Sequence, residues 1–156
     1  MFRIYPAFVR GPGAVGLLIL RLVVGAAFIQ HGLQKIQSPG GPTGWMPPGA
    51  PVPGTFQALA AFSEFGGGIG LILGLLTPLA ALLIGCTMAV AVGMVHLPKG
   101  DPFVGTPGSS SYEPAAVYLA TMIMFLLVGP GVLSLDWLLF GRRPAAAQPT
   151  SPGVPT

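Results

Sequence analysis

The chain has 156 residues, of which 52% are apolar and only 7% are charged, with a formal net charge of +3. A soluble domain carries about a quarter charged residues, so this composition excludes an ordinary water-facing surface and indicates one small domain that lies in a bilayer. It also argues against a nucleic-acid-binding patch, because Arg3 and Arg10 precede the first apolar segment while Arg142 and Arg143 follow the last. That distribution is typical of a membrane topology signal.

Four apolar segments are long enough to cross a bilayer, whose core of about 30 Å requires about 20 helical residues. They are residues 14–36, 55–76, 78–97 and 114–132. The sequence therefore predicts an all-α fold, a polytopic membrane protein with a bundle of four transmembrane helices within residues 1–141. Residues 142–156 are rich in Pro, Ala, Ser and Thr, which predicts a disordered cytoplasmic tail.

The topology follows from the basic residues. Arg21 interrupts the first apolar segment, and no small-residue cleavage site follows it, so we interpret this segment as an uncleaved span and not as a signal peptide. Lys and Arg are more numerous near the two termini than in the two long loops, which predicts that both termini are cytoplasmic. Trp45 and Trp137 lie near span ends, as expected of interfacial aromatic residues.

Small residues recur every four positions on the second and third predicted spans, so that each set follows one helix face. They are Gly66, Gly70 and Gly74 on the second span and Gly85, Ala89 and Gly93 on the third. Such faces let helix backbones approach closely in lipid. We expect them to pack either within the bundle or against a second copy of the chain.

The single cysteine, Cys86, excludes an intrachain disulfide and a thiolate cluster. Because it lies in an apolar segment, we interpret it as a small buried residue.

Two ionisable residues lie well inside predicted spans, where an unpaired charge costs several kcal/mol. With a rise of about 1.5 Å per residue, Arg21 and Glu64 come to a similar depth near the middle of the membrane. We therefore expect a buried ion pair between them, either purely structural or with a part in substrate binding or proton movement.

Further polar residues gather at the outer ends of the predicted spans and predict a small pocket there, a candidate quinone or proton site. They are His31, His96, Lys35 and Glu113. Histidine can transfer protons or donate a hydrogen bond to a quinone carbonyl. The alternative is structural, with the histidines bonded to each other, to a carboxylate or to loop backbone. No metal site is predicted, since two histidines without a cysteine set or carboxylate pair are a weak metal signal, and no residue is assigned a catalytic role.

Several short motifs occur in a characteristic order. They are residues 21–25 and 30–35 on the first span, 63–68 and 73–78 on the second, 95–100 at the end of the third, 112–113 at the start of the fourth, and 129–136 after the fourth. Together they resemble the DoxX family of bacterial and archaeal four-span membrane proteins. The resemblance implies a four-helix bundle in the bacterial inner membrane and a link to electron transfer, because the namesake relatives are membrane subunits of a thiosulfate:quinone oxidoreductase. Its characteristic polar residues would fall at Arg21, His31, Lys35, Glu64, His96, Glu113 and Asp136.

The expected function is that of an integral membrane subunit of, or accessory to, a quinone-linked redox system, not catalytic alone. No intrinsic cofactor is expected, although a quinone could bind. Membrane lipids and either partner subunits or further copies of the chain are the expected partners, and nucleic acid is not. The alternative is a structural or assembly subunit of a larger membrane complex. A transporter is less well supported, since four spans without clear inverted repeats offer little machinery for alternating access.

Overall fold

The computed structural model describes residues 8–141, so the predicted tail lies outside the described residues. Helix α1 spans Pro12–Ile36, α2 spans Gly54–Leu73, α3 spans Thr77–Val90 and α4 spans Glu113–Val128. Helix α3 continues as a π-helical segment, Ala91–His96, and one further turn, Leu97–Lys99, and a second π-helical segment is Trp137–Gly141. No strand occurs in residues 8–141, which confirms the predicted all-α fold.

Three helical stretches are long and apolar enough to cross a membrane: Pro12–Ile36, Gly54–Leu73 and Thr77–Lys99. The fourth predicted span, residues 114–132, contains a shorter apolar helix, because α4 ends at Val128, where Gly129 adopts φ 78°. Its 16 residues extend about 24 Å at about 1.5 Å per residue. The described helices are therefore three of full membrane length and one shorter apolar helix.

Proline and glycine mark the helix ends. Pro12, Pro78 and Pro114 each lie in the first turn of a helix, where the absent N–H costs nothing and the fixed φ already suits a helix. Helix α2 ends three residues before its predicted limit, because Gly74 adopts the left-handed conformation with φ 62°. A left-handed glycine is a common helix stop, and it leads into the tight turn between α2 and α3.

Helices α1 and α2 pack antiparallel through glycine. A Cβ on Gly25 would lie 2.7 Å from the carbonyl oxygen of Gly68, and one on Gly32 would lie 2.8 Å from that of Ala61. No side chain fits at such distances, so the two backbones touch directly, as helices in lipid often do. These contacts fix the register: Gly32 is level with the middle of α2, and residues nearer the start of α1 are level with its end.

The predicted small-residue faces are correct in part. Gly70, Gly74 and Gly85 pack against Ala80, Ser134 and Met122, respectively. Gly66, Ala89 and Gly93 are exposed and do not pack within the bundle, so for these three residues packing against a second copy stays a prediction. The face that α1 covers carries Gly68, about 200° around the helix from Gly66 at about 100° per residue.

The bundle closes around an apolar core that takes residues from all four helices, including Phe28, Leu71, Ile84, Met122 and Phe125. Helix α2 packs on α1 and α3, and α3 packs on α4. The rings of Phe28 and Tyr118, 4.8 Å apart, connect α1 to α4. After α4 the chain returns along α1, where the Val132 N–H donates to the Val9 carbonyl at 3.0 Å.

Candidate functional site: a groove between α2 and α3

A groove of about 610 Å³ lies between α2, α3 and the loop that precedes α2. We call it the α2–α3 groove. Most of its lining is apolar, and at its rim Phe56, Leu59 and Met94 are exposed. These exposed apolar side chains make the outer edge of the groove apolar, as expected of a surface that contacts lipid. Its polar lining residues are Lys35, Trp45, Ser63, Glu64, Cys86 and Thr87.

The Lys35–Glu64 ion pair lies at the groove. The Nζ of Lys35 is 2.5 Å from Oε1 of Glu64, and the Glu64 side chain is 1% exposed whereas that of Lys35 is 20% exposed. The Lys35 ammonium also lies over the Trp45 ring, 4.5 Å from its centroid, a cation–π contact. A long lysine side chain at the end of α1 thus reaches down to the carboxylate and neutralises it.

The second carboxylate oxygen of Glu64, Oε2, is buried and accepts no hydrogen bond from any residue within 8–141. Two other polar side chains in the groove donate their hydrogen bonds to backbone carbonyls and not to Glu64. The Trp45 Nε1–H donates to the Gln57 carbonyl at 3.0 Å, and the Thr87 hydroxyl donates to the Leu83 carbonyl at 3.1 Å. The groove therefore combines apolar walls with one buried acceptor that is not satisfied by the described protein.

The loop that forms one wall is tied to α2 by Gln57, which is 6% exposed. Its Oε1 accepts from the Met46 N–H at 3.1 Å, and its Nε2 donates to the Val52 carbonyl at 2.9 Å. Together with the Trp45 bond to the Gln57 backbone, these contacts hold the proline-rich loop over the groove. The opposite wall includes Ala91 and Met94 of the π-helical segment, and such irregular turns are frequent at functional sites.

The predicted Arg21–Glu64 ion pair is wrong. Glu64 pairs with Lys35, while the Arg21 guanidinium, fully buried, donates through Nη2 to the Leu133 carbonyl. The error lies in the relative depth of the helices. The register that the α1 glycines impose places Arg21 against Gly74 at the end of α2, ten residues and about 15 Å beyond Glu64.

Arg21 belongs to a second buried polar cluster at the turn between α2 and α3. Asp136, which is 0% exposed, accepts hydrogen bonds from the backbone N–H of Leu76 at 2.7 Å and of Thr77 at 2.9 Å. Its carboxylate also stabilises the Arg21 charge. Asp136 thus caps the start of α3 from a distant part of the chain, and it supports Leu76, whose φ of 49° is unusual for a non-glycine residue.

The two histidines, predicted to share a pocket, have separate surroundings, and neither lines the α2–α3 groove. His31 is exposed on α1, with its ring 6.2 Å from that of Phe28 and 6.3 Å from that of Tyr118. The Nδ1 of His96 lies 2.7 Å from Oδ2 of Asp101. Of the two interpretations of the histidines, the structural one thus describes His96, whose ring is bonded to the carboxylate of a loop residue.

Asp101 is the centre of that loop contact. It accepts a hydrogen bond from the Ser110 hydroxyl at 2.5 Å. This bond, followed by the bond from His96, holds the pKa of Asp101 below its ordinary value of 3.8. The 101–110 loop is therefore pinned to the end of α3 by a carboxylate that stays ionised.

Of the remaining candidates, Lys35 lines the α2–α3 groove but Glu113, exposed at the start of α4, does not. Cys86 was expected to be buried, but it is exposed and lines the groove, because it lies on the α3 face that turns away from the core. Within the described residues, no group of three or more His, Cys, Asp or Glu side chains could hold a metal ion.

Sequence reasoning missed Gln57 and the role of Trp45. A glutamine in the first turns of a membrane helix carries no pattern that separates it from a surface residue, and Trp45 was interpreted only as an interfacial aromatic. Both Lys35 and Glu64 were identified from the sequence as polar residues of interest. Their pairing was not predicted, because it depends on the register of α1 against α2.

The apolar helices and the polar groups buried among them define an integral membrane protein. The chain belongs to the DoxX family, whose match covers residues 16–97. It is similar to "Uncharacterized membrane protein Rv3486" of Mycobacterium tuberculosis, 32% identical over 90% of this chain and 91% of the relative. It is also similar to "Inner membrane protein YqjF" of Escherichia coli, 28% identical over 80% and 92%, respectively. No solved structure matches the chain.

Proposed function

We propose that the protein is an integral membrane subunit of, or accessory to, a quinone-linked redox system, and that the α2–α3 groove receives the quinone or quinol. The observation that carries the proposal is the Lys35–Glu64 pair beside an apolar groove whose rim carries exposed apolar side chains. An isoprenoid quinone has a polar ring and a long apolar tail, and it reaches its sites from within the bilayer. The ring would lie at the ion pair and the tail along the apolar rim.

The dimensions support this assignment. A volume of about 610 Å³ lies within the range of about 300–1,000 Å³ usual for small-molecule sites, which are mostly apolar with a few placed polar groups. Of the four residues that the sequence predicted for a quinone or proton site at the outer ends of the spans, the proposed site retains only Lys35. It replaces His31, His96 and Glu113 with Glu64 and the neighbouring Ser63, both of which line the groove.

In the proposed topology all four apolar helices cross the inner membrane and both termini are cytoplasmic. The loop over the groove and the 101–110 loop would then lie outside. In a Cys86→Ser background, Ser109→Cys in the exposed loop should react with a membrane-impermeant maleimide added to intact cells. A cysteine added after residue 156 should react only after lysis, and the reverse labelling would contradict this topology.

The functional test is retention of a quinone by the purified chain. The protein would be purified from its native membrane in a gentle detergent, and quinones would be extracted and quantified by mass spectrometry. Ala60→Trp fills the groove, while Ala89→Trp adds the same side chain to an exposed position that does not line it. We expect about one quinone per chain for the parent and for Ala89→Trp, and a clear loss for Ala60→Trp.

Co-purifying proteins are identified in the same preparation. A redox enzyme is the expected partner. Recovery of a large complex with its own complete electron path, and no quinone on this chain, would contradict the proposal and favour the structural or assembly subunit.

A further inference from the structure

Resting on the proposed function, we propose that the α2–α3 groove selects a neutral head group that donates a hydrogen bond, and therefore binds a quinol in preference to a quinone. A quinol carries two ring hydroxyls that can donate. A quinone carries two carbonyls that can only accept. The two forms are otherwise nearly the same size, so the polar groups of the groove decide between them.

The first argument is the unsatisfied acceptor. Glu64 lines the groove, and its Oε2 is buried without a hydrogen bond from residues 8–141. An ionised carboxylate oxygen accepts and cannot donate, so only a ligand with a donor satisfies it. A carbonyl placed beside it would bring two acceptors together.

The second argument is that no donor around the groove favours the quinone. The Lys35 ammonium donates to Oε1 of Glu64 and lies over the Trp45 ring, and its remaining N–H groups can donate equally to a carbonyl or to a hydroxyl oxygen. The Trp45 and Thr87 donors bind the carbonyls of Gln57 and Leu83. The Ser63 hydroxyl can both donate and accept, so it does not discriminate between the two ligand forms.

The third argument is charge. The groove holds one ammonium and one carboxylate in contact, and this pair is neutral as a whole. A cationic head group would meet the like charge of Lys35, and an anionic one would meet that of Glu64. A neutral hydroxyl donates a hydrogen bond to Oε2 and leaves the net charge of the pair at zero. The groove should therefore bind a quinol in preference to the ammonium head group of an ethanolamine lipid.

The experiment compares three short-chain ligands on the full chain in lipid nanodiscs: the quinol, kept reduced under anaerobic conditions, the quinone, and the dimethyl ether of the quinol. Bound ligand is quantified by mass spectrometry after sedimentation, and empty nanodiscs give the part dissolved in lipid. A hydrogen bond to a charged group predicts a quinol affinity about tenfold or more above that of the quinone and the ether.

Two variants assign that preference to one atom. Glu64→Gln keeps an oxygen for Lys35 and can place an N–H donor where Oε2 lies, so the preference for the quinol should vanish or reverse. Glu113→Gln, the same change at an exposed position that does not line the groove, should leave the preference intact. If Glu64→Gln does not fold, the comparison of quinol with its ether on the parent protein still decides the question.

The outcomes separate the two proposals. If neither ligand form binds, the proposed function fails. If both bind equally, or the quinone binds more tightly, the groove is a quinone site but the selection for a donor is wrong. Displacement of the quinol by ethanolamine lipid at stoichiometric amounts would show that the groove takes an ammonium head group, and would also overturn the inference.

Discussion

Lys35 and Glu64 bring their charges within 2.5 Å of each other, although 29 positions separate them along the chain. Lys35 lies in the last turn of α1, and Glu64 lies in the middle of α2. The glycine contacts between the two helices make this possible, since they bring the α1 backbone so close to α2 that the lysine side chain spans the remaining distance. The same pair supplies the polar end of the α2–α3 groove.

Replacement of Lys35 by Met should destabilise the protein strongly. It leaves the Glu64 carboxylate buried without its cation, and loss of one partner of a buried pair costs about 3–5 kcal/mol. Thermal unfolding in detergent, followed by size-exclusion chromatography, measures the effect. Lys99→Met, a change of the same kind at an exposed span end, is the control and should change little. The double variant Lys35→Met with Glu64→Gln should recover part of the loss, and its failure to do so would argue against the buried charge as the cause.

Replacement of Asp136 by Ala should lower the unfolding free energy by about 2 kcal/mol, at the upper end of the values for a lost helix cap. It removes the acceptors for the Leu76 and Thr77 N–H groups and the carboxylate near Arg21. Asp136→Asn, which retains one acceptor oxygen, should cost less. Asp101→Asn, in the 101–110 loop, serves as the matched loss of a carboxylate, and an equal effect of both changes on global unfolding would contradict the capping role.

Replacement of glycine by alanine should have opposite effects on stability at two positions. Gly32→Ala should destabilise the bundle, because the new Cβ would lie 2.7 Å from the Phe65 Cβ and 2.8 Å from the Ala61 carbonyl oxygen. Gly66→Ala meets nothing within 4 Å and should stabilise α2 by about 0.5–1 kcal/mol through its better helix propensity. Unfolding midpoints of the two variants check this directly, and similar losses would contradict the register of α1 on α2.

The 101–110 loop should loosen at low pH. The pKa of Asp101 is lowered in the folded protein, first by Ser110 and then by His96, so its stabilising contribution is fully present above the ordinary value of 3.8. The contribution is lost as the pH falls through the lowered pKa of the folded state. Hydrogen exchange of the loop amides should therefore accelerate below about pH 4 relative to its intrinsic rate. In Ser110→Ala the change should begin at higher pH, and an unchanged profile would contradict the assigned cause.

The sequence alone predicted much of the molecule. The scarcity of charge and the length of the apolar segments established a helical membrane protein, and proline and glycine located most helix ends within a few residues. The cost of burying charge singled out Arg21 and Glu64 as residues that require partners, and both are fully buried. Composition, segment length and local turn chemistry act over short stretches of chain, so they can be read without coordinates.

The partners of those charges were decided only by the tertiary structure. A shift of ten residues along α2 corresponds to about 15 Å, enough to exchange one ionic partner for another. The shift depends on how closely α1 approaches α2 at Gly25 and Gly32, and periodicity along one helix carries no information about its register against another. The same contacts bring Lys35 to Glu64 and Arg21 to the cluster around Asp136, and so determine which polar group borders the α2–α3 groove.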